Sequence, residues 1–308
     1  MTTATVRRNA VERPPALDIA LLVLAVSAVS TSGPLIAAAA APALAIAFWR
    51  NAMASGVLVP IALVRKRSEL RHMSARDRRL AIVAGGFLAA HFATWVPSLR
   101  YTSVASATAL VATQPIWNAL IARGMGHHVP RRAWLGIGIS VAGAVALTGA
   151  DFSVSSRALT GDVLAIAGAI LAALYVAVGG EVRRNVSTTS YTTICYSTAA
   201  LLLLLVCVVG RLHLTGYSSK TWLQLVALTI GPQLLGHSVI NRVLRTTPAT
   251  VVSLAILFEV PGAALIAWVA LHQHPPAAIL PGVALLLIGL AVVISGATPD
   301  VEPSVPVE

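Results

Sequence analysis

The chain has 308 residues, of which 57% are hydrophobic and only 11% are charged. Soluble domains carry about 25% charged residues, so this composition excludes a soluble globular protein and indicates a polytopic membrane protein. The formal net charge of +11 lies in short segments between apolar runs, where basic residues orient helices, so it does not indicate a nucleic-acid partner.

The chain opens with a polar, basic tail over residues 1–16, followed by an apolar run over residues 17–41. A basic start before an apolar stretch also fits a cleavable signal peptide. We favour a retained helix, because the run is long for a signal peptide. In addition, Asp18 at its start has a counterpart in Asp162, at the start of the second half of the chain.

Ten apolar runs have about the 20 residues that a helix needs to cross a bilayer. The sequence therefore predicts an all-α integral membrane protein with ten transmembrane helices. The predicted spans are residues 17–41, 43–64, 80–99, 104–123, 133–149, 162–180, 191–210, 221–241, 248–271 and 277–296.

Basic residues are distributed unevenly between the loops. With the N-terminus inside, 17 of the 22 lysines and arginines fall in cytoplasmic segments, four fall outside, and Arg50 lies within a span. This bias predicts that both termini are cytoplasmic. The ten helices then divide into two five-helix halves of opposite orientation, residues 17–150 and 151–297, between cytoplasmic tails 1–16 and 298–308.

The two halves also repeat each other in sequence. A shift of 146 residues aligns them without a gap over a long window and matches histidines, prolines and glycines that chance would rarely bring into one register. Among the matched pairs are His91 with His237, Pro115 with Pro261, and Gly143 with Gly289. Inverted repeats of this kind usually place a substrate site near the membrane midplane, at their interface, and serve it with interrupted helices.

Two charged residues lie inside predicted spans. Arg50 is about 12 Å from the outer end of the second span, at 1.5 Å per residue, and Glu259 lies near the middle of the ninth. Charged groups inside a bilayer are costly and face a bundle interior or a water-filled cavity. The pattern permits a permanent Arg50–Glu259 pair, which we favour, or a substrate-binding Arg50 with a proton-carrying Glu259.

Uncharged residues within the spans complete the predicted cavity. His91 and His237 fit hydrogen-bond donors of a cavity wall, an interhelical hydrogen bond, or two metal ligands; no Asp or Cys is close to them in sequence, so we assign no metal site. Pro115 and Pro261 predict helix breaks that shape the cavity. The remaining candidates for the cavity are Gln114, Trp117, Asn118 and Gln233.

Four segments resemble the EamA-type repeats of the drug/metabolite transporter superfamily. The resemblance extends over residues 17 to 297. It implies ten helices in two inverted halves around a central cavity, and the export or exchange of small metabolites. The segments are residues 98–122, 134–147, 161–175 and 244–268.

We therefore predict a secondary active transporter, with export as the favoured direction, that moves small metabolites, amino acids or drug-like compounds by alternating access. The alternatives are an intramembrane enzyme, against which the lack of a nucleophile–base pattern weighs, and a lipid scramblase or structural membrane protein. The expected setting is the inner membrane of a cell, with a small-molecule substrate, the lipid bilayer and protons as partners. We expect no cofactor, and a homodimer is left open.

Overall fold

A computed structural model describes residues 16–126, 128–236, 239–240, 243, 252 and 255–296. Within these residues all regular structure is helical, and no strand occurs. A π-helical segment, Thr229–Gly236, follows α11, and a 3-10 turn, Ala277–Ile279, precedes α13. The α-helices are α1 (Ala16–Ser30), α2 (Ser32–Ala38), α3 (Ala43–Arg65), α4 (Arg67–His72), α5 (Ala75–Ser98), α6 (Val104–Val111), α7 (Gln114–Gly124), α8 (Arg131–Val154), α9 (Ser156–Arg183), α10 (Thr188–Val209), α11 (Ser219–Leu228), α12 (Glu259–Leu271) and α13 (Leu280–Gly296).

Seven helical stretches are long and apolar enough to cross a membrane, and α12 is a shorter apolar helix. The described residues therefore bear out the all-helical membrane class. The count of ten spans stays a prediction. The predicted spans 221–241 and 248–271 run partly outside the described residues, and the predicted span 133–149, on α8, is not among the seven stretches. The seven stretches are Ala16–Ala38, Ala43–Arg65, Ala75–Ser98, Val104–Gly124, Ser156–Arg183, Thr188–Val209 and Ala277–Ser295.

Four interruptions of the helices share one cause, a proline in the following turn. A proline ring clashes with the carbonyl four residues earlier and supplies no N–H, so the helix fails at the residue that each proline faces. Pro60, by contrast, lies inside the continuous helix α3, so the surroundings decide whether a proline ends a helix. The four interruptions are the end of α1 at Ser30 before Pro34, the end of α6 at Val111 before Pro115, the end of α11 at Leu228 before Pro232, and the turn at Leu257 before Pro261.

Helices α8 and α13 pack against each other along glycines. Gly136 lies against Gly289, and Gly143 lies against Gly282, so the two helices run antiparallel. A shift of 146 residues turns Gly136 into Gly282 and Gly143 into Gly289, so it exchanges the two contacts. That exchange is the pattern expected where two halves meet across a twofold axis.

The other extensive contacts bring the two halves together around the middle of α3. Helix α3 packs on α10, α5 packs on both α9 and α10, and α1 packs on the π-helical segment. Many of the buried residues at these contacts are alanines, whose small side chains let helix backbones approach closely. Close packing matters here because the hydrophobic effect does not drive helices together within lipid. The segments that carry the candidate polar residues are thereby held side by side.

The contact between α8 and α13 predicts opposite outcomes for two neighbouring glycines. A Cβ at Gly143 would come closer than 3.0 Å to backbone atoms of α13, whereas a Cβ at Gly138 would meet nothing within 4 Å. Gly143→Ala should destabilise the protein by about 1–3 kcal/mol through overpacking. Gly138→Ala should be neutral, or stabilising by up to about 1 kcal/mol through helix propensity.

The measurement is the thermal unfolding midpoint of each purified variant in detergent, with size-exclusion chromatography to report folded protein. An equal response to both substitutions would show that the close glycine contact between α8 and α13 does not form.

Candidate functional site

Arg50 lies in the middle of α3 and is only 2% exposed. Its Nε donates a hydrogen bond to Gln233 Oε1 at 2.6 Å, and its Nη1 donates to Ser32 Oγ at 3.5 Å. The guanidinium carbon lies 4.4 Å from the centre of the Phe92 ring, a distance typical of a cation–π contact. Side chains from α2, α5 and the π-helical segment thus surround the guanidinium, and these three partners are neutral.

Gln233 links Arg50 back to its own helix. Its Nε2 donates to Asn51 Oδ1 at 3.3 Å, and Asn51 Nδ2 donates to the carbonyl oxygen of Ala47 at 2.8 Å. Gln233 directly follows Pro232 in the π-helical segment, and π-helical turns are uncommon and often lie at functional sites. The result is a continuous buried network that runs from α3 to the π-helical segment and back.

Glu259 is the first residue of α12 and is partly buried. It lies near enough to Arg50 for the two charges to interact electrostatically. They form no ion pair, however: the ion pairs within the described residues are Lys66 with Glu69 and Glu181 with Arg184. The direct Arg50–Glu259 pair that we favoured from the sequence is therefore absent from this structure. The Nε–H of Arg50 donates to the amide of Gln233 instead.

His91 joins two helices. Its Nδ1 donates to the carbonyl oxygen of Gly168 at 2.9 Å, and its ring stacks on Trp95 with the ring centres 5.7 Å apart. This contact ties α5 to α9, where the missing side chain of Gly168 leaves the carbonyl accessible. His237 lies outside the described residues, so its pairing with His91 stays a prediction. No group of three or more His, Cys, Asp or Glu within the described residues could hold a metal ion.

The remaining sequence candidates lie in the first turns of α7, just beyond the break at Val111. Their side chains are all partly buried, and the indole N–H of Trp117 donates to Thr113 Oγ1 at 3.2 Å. Within the described contacts none of them reaches Arg50, so they form a second polar group on a separate interrupted helix. These candidates are Gln114, Pro115, Trp117 and Asn118.

Three residues of the Arg50 network were not predicted from the sequence: Ser32, Asn51 and Phe92. Serine and phenylalanine inside apolar runs carry no pattern of their own, and nothing local indicates that they meet an arginine. Asn51 could have been found, because an amide beside a membrane-embedded arginine is itself costly to bury and needs a partner. The Gly33-Pro34 pair could have indicated the helix break that precedes α2.

At one end of the bundle, a carboxylate ties α4 to the start of α10. Glu69 accepts the backbone N–H of Ser187 at 2.5 Å and the Ser187 hydroxyl at 2.8 Å. Burial alone would raise the pKa of Glu69, but the hydrogen bonds from Ser187 and the charge of Lys66 hold it below its usual value of 4.5, so the carboxylate is ionised at neutral pH. Ser187 is the N-cap of α10, where a negative charge also interacts favourably with the helix dipole.

Comparisons with known proteins agree with this architecture. The model of the EamA-like transporter family matches residues 17–149 and 159–295. A solved structure described as "Crystal structure of protein" matches with a TM-score of 0.63 and 20% sequence identity, over 90% of this chain and 96% of the other. At that identity, the likeness shows the fold alone. The search of curated proteins finds no match.

The Arg50 network predicts a specific cost for the loss of one amide. Gln233→Leu removes the acceptor of the Arg50 Nε–H at similar side-chain volume, and a buried donor left unsatisfied costs about 1–3 kcal/mol. The thermal unfolding midpoint of the purified variant should therefore fall. Gln224→Leu is the matched control, because Gln224 lies in α11 and its side chain makes no hydrogen bond within the described residues. Equal midpoints for the two variants would contradict the network.

Proposed function

The chain belongs to the EamA-like transporter family, and from this membership we propose that it is a secondary active transporter with ten transmembrane helices in two inverted five-helix repeats. The antiparallel, mutually exchanged glycine contacts of α8 and α13 support the inverted arrangement. The distribution of basic residues supports cytoplasmic termini in an inner membrane. The transported compounds are small metabolites, amino acids or drug-like molecules, and export is the favoured direction.

The observation that carries this proposal is a buried arginine held by neutral groups. A charge buried for structural reasons alone usually needs a paired counter-charge. Arg50 instead donates to Gln233 and Ser32 and lies over Phe92, and within the described part of the chain no direct ion pair neutralises its positive charge. A substrate carboxylate or phosphate that replaced one of these weak contacts would gain a charge-assisted hydrogen bond.

Alternating access requires that the Arg50 network open to each side in turn. The proline-induced interruptions next to Ser32, Gln233 and Glu259 supply places where half-helices can tilt without breaking a regular hydrogen-bond ladder. The contact between Glu69 and Ser187 joins the first half of the chain to the second. We assign it the role of a gate at the predicted cytoplasmic face. We assign proton coupling to Glu259, because it is the carboxylate that interacts with Arg50 and is not hydrogen-bonded within the described residues.

The test uses purified protein in proteoliposomes, with electrical recording on a solid-supported membrane and a panel of amino acids and small carboxylates. The wild type should carry current for at least one class of substrate when a proton gradient is imposed. Glu259→Gln should lower gradient-driven flux about tenfold or more, because glutamine mimics the protonated acid and cannot release a proton. Substrate exchange, which needs no net proton movement, should persist. Glu181→Gln is the control, since Glu181 pairs, among the residues that the structure describes, with the exposed Arg184 alone.

Gradient-driven flux at the wild-type level in Glu259→Gln would remove the coupling role but leave transport intact. Hydrolysis of a peptide or lipid substrate, or lipid scrambling without solute flux, would contradict transport itself and favour one of the two alternative classes.

A further inference from the structure

A basic cavity lies between the end of α7 and the start of α8, away from the Arg50 network. It has a volume of about 370 Å³ and is lined by Arg123, Gly126, His128, Val129, Arg131 and Trp134. Gly126 follows α7 with a φ of +88°, a conformation that glycine adopts without strain. Arg123, in the last turn of α7, and Arg131, the first residue of α8, both line this cavity.

Among the described residues, no acidic side chain lines this cavity. No Asp or Glu occurs in the sequence from Arg78 to Ala150. Within the part of the chain that the structure describes, neither Arg123 nor Arg131 forms an ion pair or a side-chain hydrogen bond, so both guanidinium groups can bind an anion. Two guanidinium groups that line one cavity can bind a phosphate, because its oxygens accept pairs of hydrogen bonds from guanidinium N–H groups.

The cavity continues into an apolar surface. Trp134 forms part of its wall and is 43% exposed, and the exposed side chain of Leu135 lies next to it in sequence. Val141 and Val145, about two and three turns after Trp134 along α8, are also exposed and continue the face on which Trp134 lies. Tryptophan is favoured at the boundary between headgroups and acyl chains, so the cavity and this face together have the polarity profile of a membrane interface.

We propose that this cavity binds the phosphate headgroup of an anionic phospholipid, with the acyl chains along the exposed face of α8. Arg123 and Arg131 bind the phosphate oxygens, His128 donates a further hydrogen bond, and Trp134 packs beside the glycerol. A free phosphate ion would use the same guanidinium groups but would leave the apolar face uncovered. The lipid is therefore the occupant that satisfies both parts of the surface.

The test is native mass spectrometry of the delipidated full-length protein, titrated with phosphatidylglycerol or with phosphatidylcholine of the same acyl chains. Each arginine at the surface contributes about 1 kcal/mol to the binding of an anionic lipid, so Arg123→Gln and Arg131→Gln should each weaken phosphatidylglycerol binding about fivefold. Arg132→Gln is the matched control, because Arg132 is the adjacent residue and does not line the cavity. It should change the affinity less than about twofold.

Each of three results would overturn the proposal. Equal weakening by Arg131→Gln and Arg132→Gln would mean a diffuse charge attraction rather than a site. If the wild-type protein bound phosphatidylcholine as tightly as phosphatidylglycerol, the binding would reflect adsorption of the acyl chains rather than recognition of the headgroup. Displacement of phosphatidylglycerol by millimolar inorganic phosphate would assign the cavity to a soluble anion. Size-exclusion chromatography of each variant confirms that the compared proteins are folded.

Discussion

A single guanidinium buried in an apolar helix bundle sets the main constraint on this protein. An arginine at the centre of a lone membrane helix costs about 2.5–3.5 kcal/mol on insertion scales, so its surroundings must supply polar partners. Here those partners come from other helices: Gln233 and Ser32 accept its hydrogen bonds, and Phe92 presents its ring face. The bundle can therefore form only if α2, α5 and the π-helical segment all approach the middle of α3.

The polar groups that surround Arg50 lie at helix breaks caused by prolines. A regular membrane helix satisfies its own backbone groups and presents mostly apolar side chains, whereas an interrupted helix exposes backbone and polar side chains at the break. Ser32 follows the break before Pro34, Gln233 lies in the π-helical segment with Pro232, and Glu259 begins the helix that contains Pro261. The same breaks that make the centre polar also interrupt the helices there, at the places where the proposed transport cycle would need half-helices to tilt.

Sequence reasoning predicted the class and the repeated organisation, because hydropathy and internal repetition are properties of long windows. It also chose Arg50, Gln233 and Glu259 as candidates, since charged and amide groups are rare in apolar runs. It did not find that Arg50 would bond to Gln233 rather than pair with Glu259. That choice depends on helix rotation and on the π-helical turn after Leu228, which shift side chains by a few ångströms and leave no trace in hydropathy. Ser32 and Phe92 were missed for the same reason, since their partner lies on another helix.

Transport by alternating access, as proposed above, would require the Arg50 network to open to both sides of the membrane in turn, and this opening can be measured as thiol accessibility at Ser32. The native Cys195 and Cys207 are fully buried and can be replaced by alanine to give a background without reactive thiols. Ser32→Cys would then be treated with a membrane-impermeant, anionic methanethiosulfonate in right-side-out and in inside-out vesicles. Alternating access predicts that the thiol is modified from both sides. Modification from one side only, or from neither side, would contradict alternating access at the Arg50 network.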